Sequence, residues 1–275
     1  MSKITVKQLR ERIYQFTEWA KGTPVDAYLV IGEKKAVMLD GLEAASGLYE
    51  MAREVTDLPL EMIVLHGHPD HAGSGCGEFI RENCPVFMQE ADYPLLKDFD
   101  IFYPAEAFTW MQDGEMFDLG GISLQMMSLP GHTPGSCVLY CKEEHILFSS
   151  DSLGSGDIWM WLPHSLPLDT YEKYLEEVYE FLRSRPDTVI YPGHTEQIPD
   201  YRRDGEKYMD LAYVEDLLEN TRALISGEKV GIPVPSLAHR MGEIDVRTLQ
   251  GKIMIGYTYD PAKRRTSGKN PESGK

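Results

Sequence analysis

The chain has 275 residues, with 44 Asp and Glu against 27 Lys and Arg, for a formal net charge of −17. Hydrophobic residues at 42% and charged residues at 26% fit a folded globular protein and exclude a disordered or collagen-like chain. No run approaches the ~18 consecutive apolar residues of a spanning helix, and so acidic a surface repels nucleic acids and anionic membranes, which leaves small molecules as the favoured partners.

The N-terminal stretch MSKITVKQLRERIYQF has no apolar run followed by a small-residue cleavage site, so no secretory signal is expected. AYLVI (27–31) and KAVMLD (35–40) flank Gly32-Glu33-Lys34 and predict a strand pair joined by a tight turn. A helical stretch follows around 44–55, with Leu48, Met51, Ala52 and Val55 on one face. MIVL (62–65) predicts a buried strand, and further strands are expected at PVFM (85–88), ISLQMMSL (122–129), SCVLYC (136–141), HILFSS (145–150) and TVIY (188–191). Asp169 and Glu172 have the spacing of a capping box before a helix that ends ahead of Pro186. A second helix carries Leu211, Val214, Leu217, Leu218 and Leu224 and stops at Gly227. Residues 200–245 are expected to form a helical cap, KIMIGYTY (252–259) one more strand, and 262–275 a disordered polar tail. Strands and helices alternate along 1–261 with no linker-like gap, which predicts a single α/β domain. Cys76, Cys84, Cys137 and Cys141 are too few for a disulfide framework in a chain of this length. Reduced thiols and a cytoplasmic location are expected.

The chemistry concentrates at strand ends. Directly after MIVL comes His66-Gly67-His68-Pro69-Asp70-His71, three imidazoles and a carboxylate within six residues. A turn lets such closely spaced side chains converge, and neutral imidazole with carboxylate is a donor set that zinc, iron and manganese accept. His132 in LPGHTPGS, Asp151 at the end of HILFSSD and His194 in VIYPGHT each follow another predicted strand. The carboxyl ends of strands are where α/β sheets place their sites. Asp40, at the end of KAVMLD, reads equally as a partner for one of these imidazoles and as a turn-capping carboxylate.

The set HGHPDH, PGHTPGS, FSSD and YPGHT, with AYLVIG, VMLDG and DGEMFDLGG between, resembles the metallo-β-lactamase-fold hydrolases over about residues 24–196. The resemblance implies an α/β fold, an αββα sandwich of two mixed β-sheets flanked by helices. It also implies two divalent metal ions, zinc first and iron or manganese otherwise. His66, His68 and His132 would hold one ion, Asp70, His71 and His194 the other, and Asp151 would bridge them. A shared hydroxide would then attack the substrate, with Asp70 steering it or accepting its proton. Within the superfamily, His71 and Asp151 favour the glyoxalase II and lactonase-like branch. Lactonases typically place Tyr three residues after the bridging Asp, where this chain has Gly154.

The expected activity is hydrolysis of a small ester, thioester or lactone with an apolar portion. Phosphodiester hydrolysis and a mononuclear-iron, persulfide-dioxygenase-like oxidoreductase are the alternatives, and a non-catalytic metal-binding protein is a third. The stretch SLGSGDIWMWLPH (152–164) reads as a Gly-rich loop with an apolar load, so Trp159, Trp161 and His164 are candidates for the substrate cleft, as is His239 in SLAHRMG. The sequence leaves a homo-oligomer open.

Overall fold

The computed structural model describes residues 3–19, 23–43, 47–198, 208–235 and 245–259. Strands are numbered β1 to β16 and helices α1 to α6 in chain order. The first sheet has seven strands in sequential order, β1 (Lys3–Arg10), β2 (Ile13–Trp19), β3 (Val25–Ile31), β4 (Ala36–Leu39), β5 (Leu60–Ile63), β6 (Val86–Met88) and β7 (Phe108–Trp110). It is antiparallel as far as β4 and parallel from β4 to β7. The second sheet uses β8 (Met116–Asp118), β9 (Ser123–Ser128), β10 (Cys137–Cys141), β11 (Ile146–Ser150) and β13 (Val189–Pro192) in the order β13-β11-β10-β9-β8. Its β11–β13 pair is parallel and its other pairs are antiparallel.

The near-continuous apolar runs of the sequence arise because both faces of these sheets are covered. Along β3 and β4, Tyr28, Val30, Val37 and Leu39 face the second sheet, where they meet Leu139, Phe148 and Tyr191. Their neighbours Ala27, Leu29, Ala36 and Met38 face outward, with Leu48 of α1 (Leu48–Val55), Phe79 of α3 (Ser74–Arg81) and Leu96 of α4 (Tyr93–Asp98). The outer face of the second sheet, Val138, Tyr140, Leu147 and Ile190, packs under α5 (Leu168–Arg183) and α6 (Leu211–Ser226). The result is the αββα sandwich, and period-two alternation assigns each strand residue to one of two apolar interfaces.

Three details differ from the sequence expectations. The capping box at Asp169 does not form: α5 begins at Leu168 behind Pro167, Asp169 accepts from the Thr170 amide, and Glu172 pairs with Arg222 of α6 at 2.7 Å. Within the expected cap, the helix α6 lies beside α5 in the outer layer. There Tyr213, Val214 and Leu217 bury against α5, because its apolar stripe meets a helix and not the cleft. Residues 199–207 and 236–244, and the tail, lie outside the described residues. Finally, 152–164 is not wholly loop, because Asp157–Met160 forms β12. It pairs in parallel with β16 (Met254–Thr258) in a small third sheet, β12-β16-β15-β14, with β15 (Val246–Leu249) and β14 (Ile232–Pro233).

The two tryptophans, with ring centroids 5.7 Å apart, differ in burial, Trp159 lying within β12 and Trp161 just past its end at Met160. Trp159 is 48% exposed, whereas Trp161 is 7% exposed and its ring lies directly on Gly256. Trp161→Ala should therefore cost about 3–5 kcal/mol of unfolding free energy, the range for a large buried aromatic. Trp159→Ala should cost under about 1 kcal/mol. Urea unfolding of the two variants checks the difference, and equal losses would contradict it.

Candidate metal centre

Four strand ends converge at one edge of the sandwich. Beyond β5 the chain runs through His66 and His68 into α2 (Pro69–Ala72), whose Pro69 occupies the first turn and places Asp70 and His71 on a short helix. His132 sits in the turn between β9 and β10, Asp151 follows β11, and His194 follows β13. Because β11 and β13 are parallel neighbours, Asp151 and His194 leave the sheet side by side. Gly193 lies between them, and a Cβ there would fall 2.5 Å from His71 Cε1 and 2.6 Å from Asp151 Oδ1. Only a glycine leaves the space between these groups open.

The seven residues singled out in the sequence meet here as two groups able to hold a metal ion, His66-His68-His132 and Asp70-His71-Asp151-His194, the donor atoms of each lying within 4.8 Å of one another. Asp151 Oδ2 is central: it stands 3.4 Å from His194 Nε2, 3.6 Å from His71 Nε2, 3.8 Å from His132 Nε2 and 3.9 Å from His66 Nε2. Asp70 Oδ2 stands 3.4 Å from His194 Nε2 and 3.5 Å from His71 Nε2.

Outer contacts fix which nitrogen faces inward. The Nδ1 atoms of His66, His71, His132 and His194 are engaged by Ser150 Oγ at 3.1 Å, Asp40 Oδ2 at 2.9 Å, the Trp159 carbonyl at 2.8 Å and the Pro24 carbonyl at 2.8 Å. Each of these rings thereby presents Nε2 to the centre, whereas His68 presents Nδ1, 2.9 Å from His132 Nε2. His66 Nε2, His71 Nε2 and Asp151 Oδ1 are buried without any hydrogen-bond partner. Unpartnered buried donors and acceptors are costly, and lone pairs aimed at one point suit a cation. The residues present therefore fit divalent metal ions.

Protonation follows the same division. Burial and the neighbouring His71 push His66 well below the usual imidazole range, and burial with His132 brings His68 down to about 3. In the second group burial opposes charge, but Asp70, Asp151 and Asp40 outweigh it and hold His71 well above its usual range. Asp151 does the same for His194, raised to about 10. Burial likewise opposes ionisation of Asp70 and Asp151, yet His71 beside Asp70 and His194 beside Asp151 keep both well below the carboxylate range.

Two other carboxylates hold the loops. Asp40 takes the expected role of imidazole partner, holding His71, and its remaining bonds come from the distant Leu65 amide at 2.8 Å and Ser150 Oγ at 2.7 Å. It does so from the left-handed region, at φ 66°, strain of a kind that concentrates at functional sites. Asp92 was not legible in the sequence, having no motif around it. It is fully buried and accepts from the Gly67 amide at 2.7 Å, Thr133 Oγ1 at 2.6 Å and the Gly135 amide, so it ties the His66–His68 loop to the His132 loop.

The centre lies in a cavity of about 320 Å³, lined also by Val25, Glu43, Phe99, Asp157, Trp159 and Leu162. Of the cleft candidates, Trp159 lines it. Trp161 does not, being turned into the third sheet, and His164 does not, being drawn to Asp98 at 3.2 Å. His239 lies outside the described residues. Phe99 and Glu43 were missed because each stands in a loop without periodicity.

A family model for the metallo-beta-lactamase superfamily matches residues 20–194. Human acyl-coenzyme A thioesterase MBLAC2 is 29% identical over 227 residues, which span 68% of this chain and 76% of that protein. Hydroxyacylglutathione hydrolase GloC of Haemophilus influenzae is 30% identical over 180 residues, 59% of this chain and 81% of its own. Among solved structures, a metallo-beta-lactamase from Pontibacter korlensis aligns with a TM-score of 0.61 at 19% identity, covering 79% of this chain and 100% of that one. DIM-1 metallo-beta-lactamase aligns with a TM-score of 0.64 at 16% identity, covering 82% and 100%. These structural likenesses show the fold.

Two outcomes follow from the geometry. A cation entering the second group must displace the protons held by His71 and His194, so metal uptake near neutral pH should release about two protons per chain. Apparent affinity should then rise with pH until about 10, where His194 loses its proton unaided. Calorimetry in buffers of different ionisation enthalpy measures the release, and none at all would contradict the assignment. Asp92→Asn leaves one oxygen for three donors, so it should lower both metal content and stability, the latter by about 1–3 kcal/mol. Elemental analysis with thermal unfolding checks both.

Proposed function

The chain belongs to the metallo-beta-lactamase superfamily of metal-dependent hydrolases, and from that premise we propose that it cleaves small esters, thioesters or lactones carrying an apolar portion. Two divalent ions, zinc in the first instance, would be held by His66, His68 and His132 and by Asp70, His71 and His194, with Asp151 between them. The observation that carries this reading is the convergence of these donor atoms on the floor of a cavity whose walls include Val25, Phe99, Trp159 and Leu162. Two relatives, one named an acyl-coenzyme A thioesterase and the other a hydroxyacylglutathione hydrolase, support acyl substrates over phosphodiesters.

Ions bound at such a site supply Lewis acidity, polarising a carbonyl and bringing the pKa of water toward neutrality. The chain's own groups do the rest. Asp70 stays ionised at neutral pH, so its Oδ2 can accept a proton from an attacking water. That oxygen lies within 3.5 Å of His71 Nε2 and His194 Nε2, beside the two imidazoles that would hold the same ion. The apolar walls take the acyl portion and exclude water from the reacting carbonyl, which strengthens every electrostatic contact inside.

Purified protein should contain close to two transition-metal ions per chain, and Asp151→Ala should lower that content. In one panel at neutral pH, thioesters or lactones with apolar groups should turn over faster than bis-aryl phosphodiesters, and His132→Ala should abolish the activity. Phosphodiesters winning by an order of magnitude would overturn the substrate class. A single bound iron, with oxygen consumed on adding a persulfide, would overturn the reaction type.

A further inference from the structure

The wall of the cavity beyond the metal-facing residues is formed largely by the stretch that follows Asp151, in which Gly154, Ser155, Asp157, Trp159 and Leu162 all line the space. Gly154 and Gly156 take φ 66° and 102°, which folds the chain tightly and brings Ser155 and Asp157 to the same cavity. Both carry unsatisfied polar atoms. Ser155 is only 2% exposed and its Oγ has no hydrogen-bond partner. Asp157 Oδ2 accepts from the Trp159 indole at 3.0 Å, while Oδ1 is enclosed without a partner. Burial pushes this carboxyl up, the indole bond working against it.

A buried hydroxyl and a carboxylate oxygen left without donors, in a wall shared with Val25, Phe99, Trp159 and Leu162, normally indicate a group that arrives with the ligand. An ionised carboxylate has about four lone-pair sites, and its terminal torsion is soft enough to turn either oxygen to the cavity. Trp159 and Phe99, 48% and 38% exposed, border the same space and offer ring faces on which a cation is stabilised. Glu43 adds a second negative group to the lining. We propose that Ser155 and Asp157 form a substrate-binding subsite for a protonated amine, so that the preferred substrate is a small ester, thioester or lactone bearing an ammonium group. This inference rests on the acyl-hydrolase reading given above. An ammonium brings three donors, enough to engage Asp157 and Ser155 together, whereas a carboxylate at the same position meets repulsion from Asp157 and Glu43.

The test uses three aryl thioesters that differ only at the far end of the acyl chain, ending in ammonium, methyl or carboxylate. With the metal-loaded protein, kcat/KM for the ammonium ester should exceed that for the methyl ester at least ten-fold, about 1.4 kcal/mol, and the carboxylate ester should be the poorest. Asp157→Asn keeps an acceptor for the Trp159 indole but loses the charge, and it should bring the ammonium-to-methyl ratio to within two-fold, whatever happens to the absolute rates. Ser155→Ala should lower the ratio by a smaller factor. A wild-type ratio near one, or a ratio that survives Asp157→Asn in a protein with normal thermal unfolding, overturns the subsite. Calorimetric titration with hexylammonium chloride and with hexanol gives a readout that needs no turnover: the ammonium should bind at least ten-fold tighter to the wild type, and not to Asp157→Asn. Amine binding without hydrolysis of any ester would remove the acyl-hydrolase reading and leave the subsite standing. Hydrolysis of all three esters at like rates, with no preference for the amine, would do the reverse.

Discussion

Five imidazoles and two carboxylates face one another across a few ångströms at the edge of this sandwich, largely withdrawn from water. Such a set has no low-energy arrangement of its own. Without a cation, the inward lone pair of His66 and one oxygen of Asp151 are left unpartnered, and protons are drawn onto His71 and His194 to offset Asp70 and Asp151. Removing a polar atom from water without a replacement bond costs on the order of 1–3 kcal/mol, and the cost recurs at each such atom. Divalent ions held there would relieve all of these at once. Their binding would therefore contribute to folding as well as chemistry, since a site that binds only in the native state shifts the unfolding equilibrium.

The rest of the architecture holds that unfavourable set in place before any ion arrives. Asp40 and Asp92 tie loops from the first sheet to groups from the second, through Ser150 in one case and Thr133 and Gly135 in the other. Asp26 of β3 does the same for the His194 turn, accepting from the amide and hydroxyl of Thr195 at 2.7 and 2.6 Å. Each is a buried carboxylate whose donors come from a different part of the chain, so each fixes distance between loops that the sheets alone would leave adjustable. Close approach also explains the glycines that punctuate the motifs: a side chain at Gly67 or Gly135 would strike Asp92, and one at Gly193 would fill the centre.

The strand ends carrying His66, His132, Asp151 and His194 were legible because short apolar runs bounded by turn residues leave few alternatives, and because ligand-type residues are scarce enough to stand out at those ends. The fold class came from the resemblance those motifs carry and from mixed strands and helices. β1 was not legible, since no residue of KITVKQLR is fully buried, and β2, though largely buried, carries Gln15, Thr17 and Glu18 within its run. β12 was read as loop because Gly154 and Gly156 just before it dominate the local signal, while its pairing partner β16 lies roughly a hundred residues away in sequence. Trp161 and His164 were placed in the cleft by composition, but the first packs onto Gly256 of β16 and Asp98 draws the second aside. Asp92 shows the limit most plainly, because its importance lies wholly in three donors contributed by distant turns.

Trp159 joins the two halves of the problem. Its carbonyl accepts from His132 Nδ1 at 2.8 Å and so helps set the tautomer of a ring in the candidate metal centre, while its indole holds Asp157 and borders the cavity. The backbone role is indifferent to the side chain, so residue 159 can vary with the substrate while the carbonyl continues to orient His132. What the carbonyl does require is the register of β12, and that register is set by β16, where Trp159 stands opposite Gly256. The family match ends at residue 194, yet the orientation of His132 depends on a strand some sixty residues beyond it. The third sheet is thus part of the site, even though none of its last three strands touches the cavity.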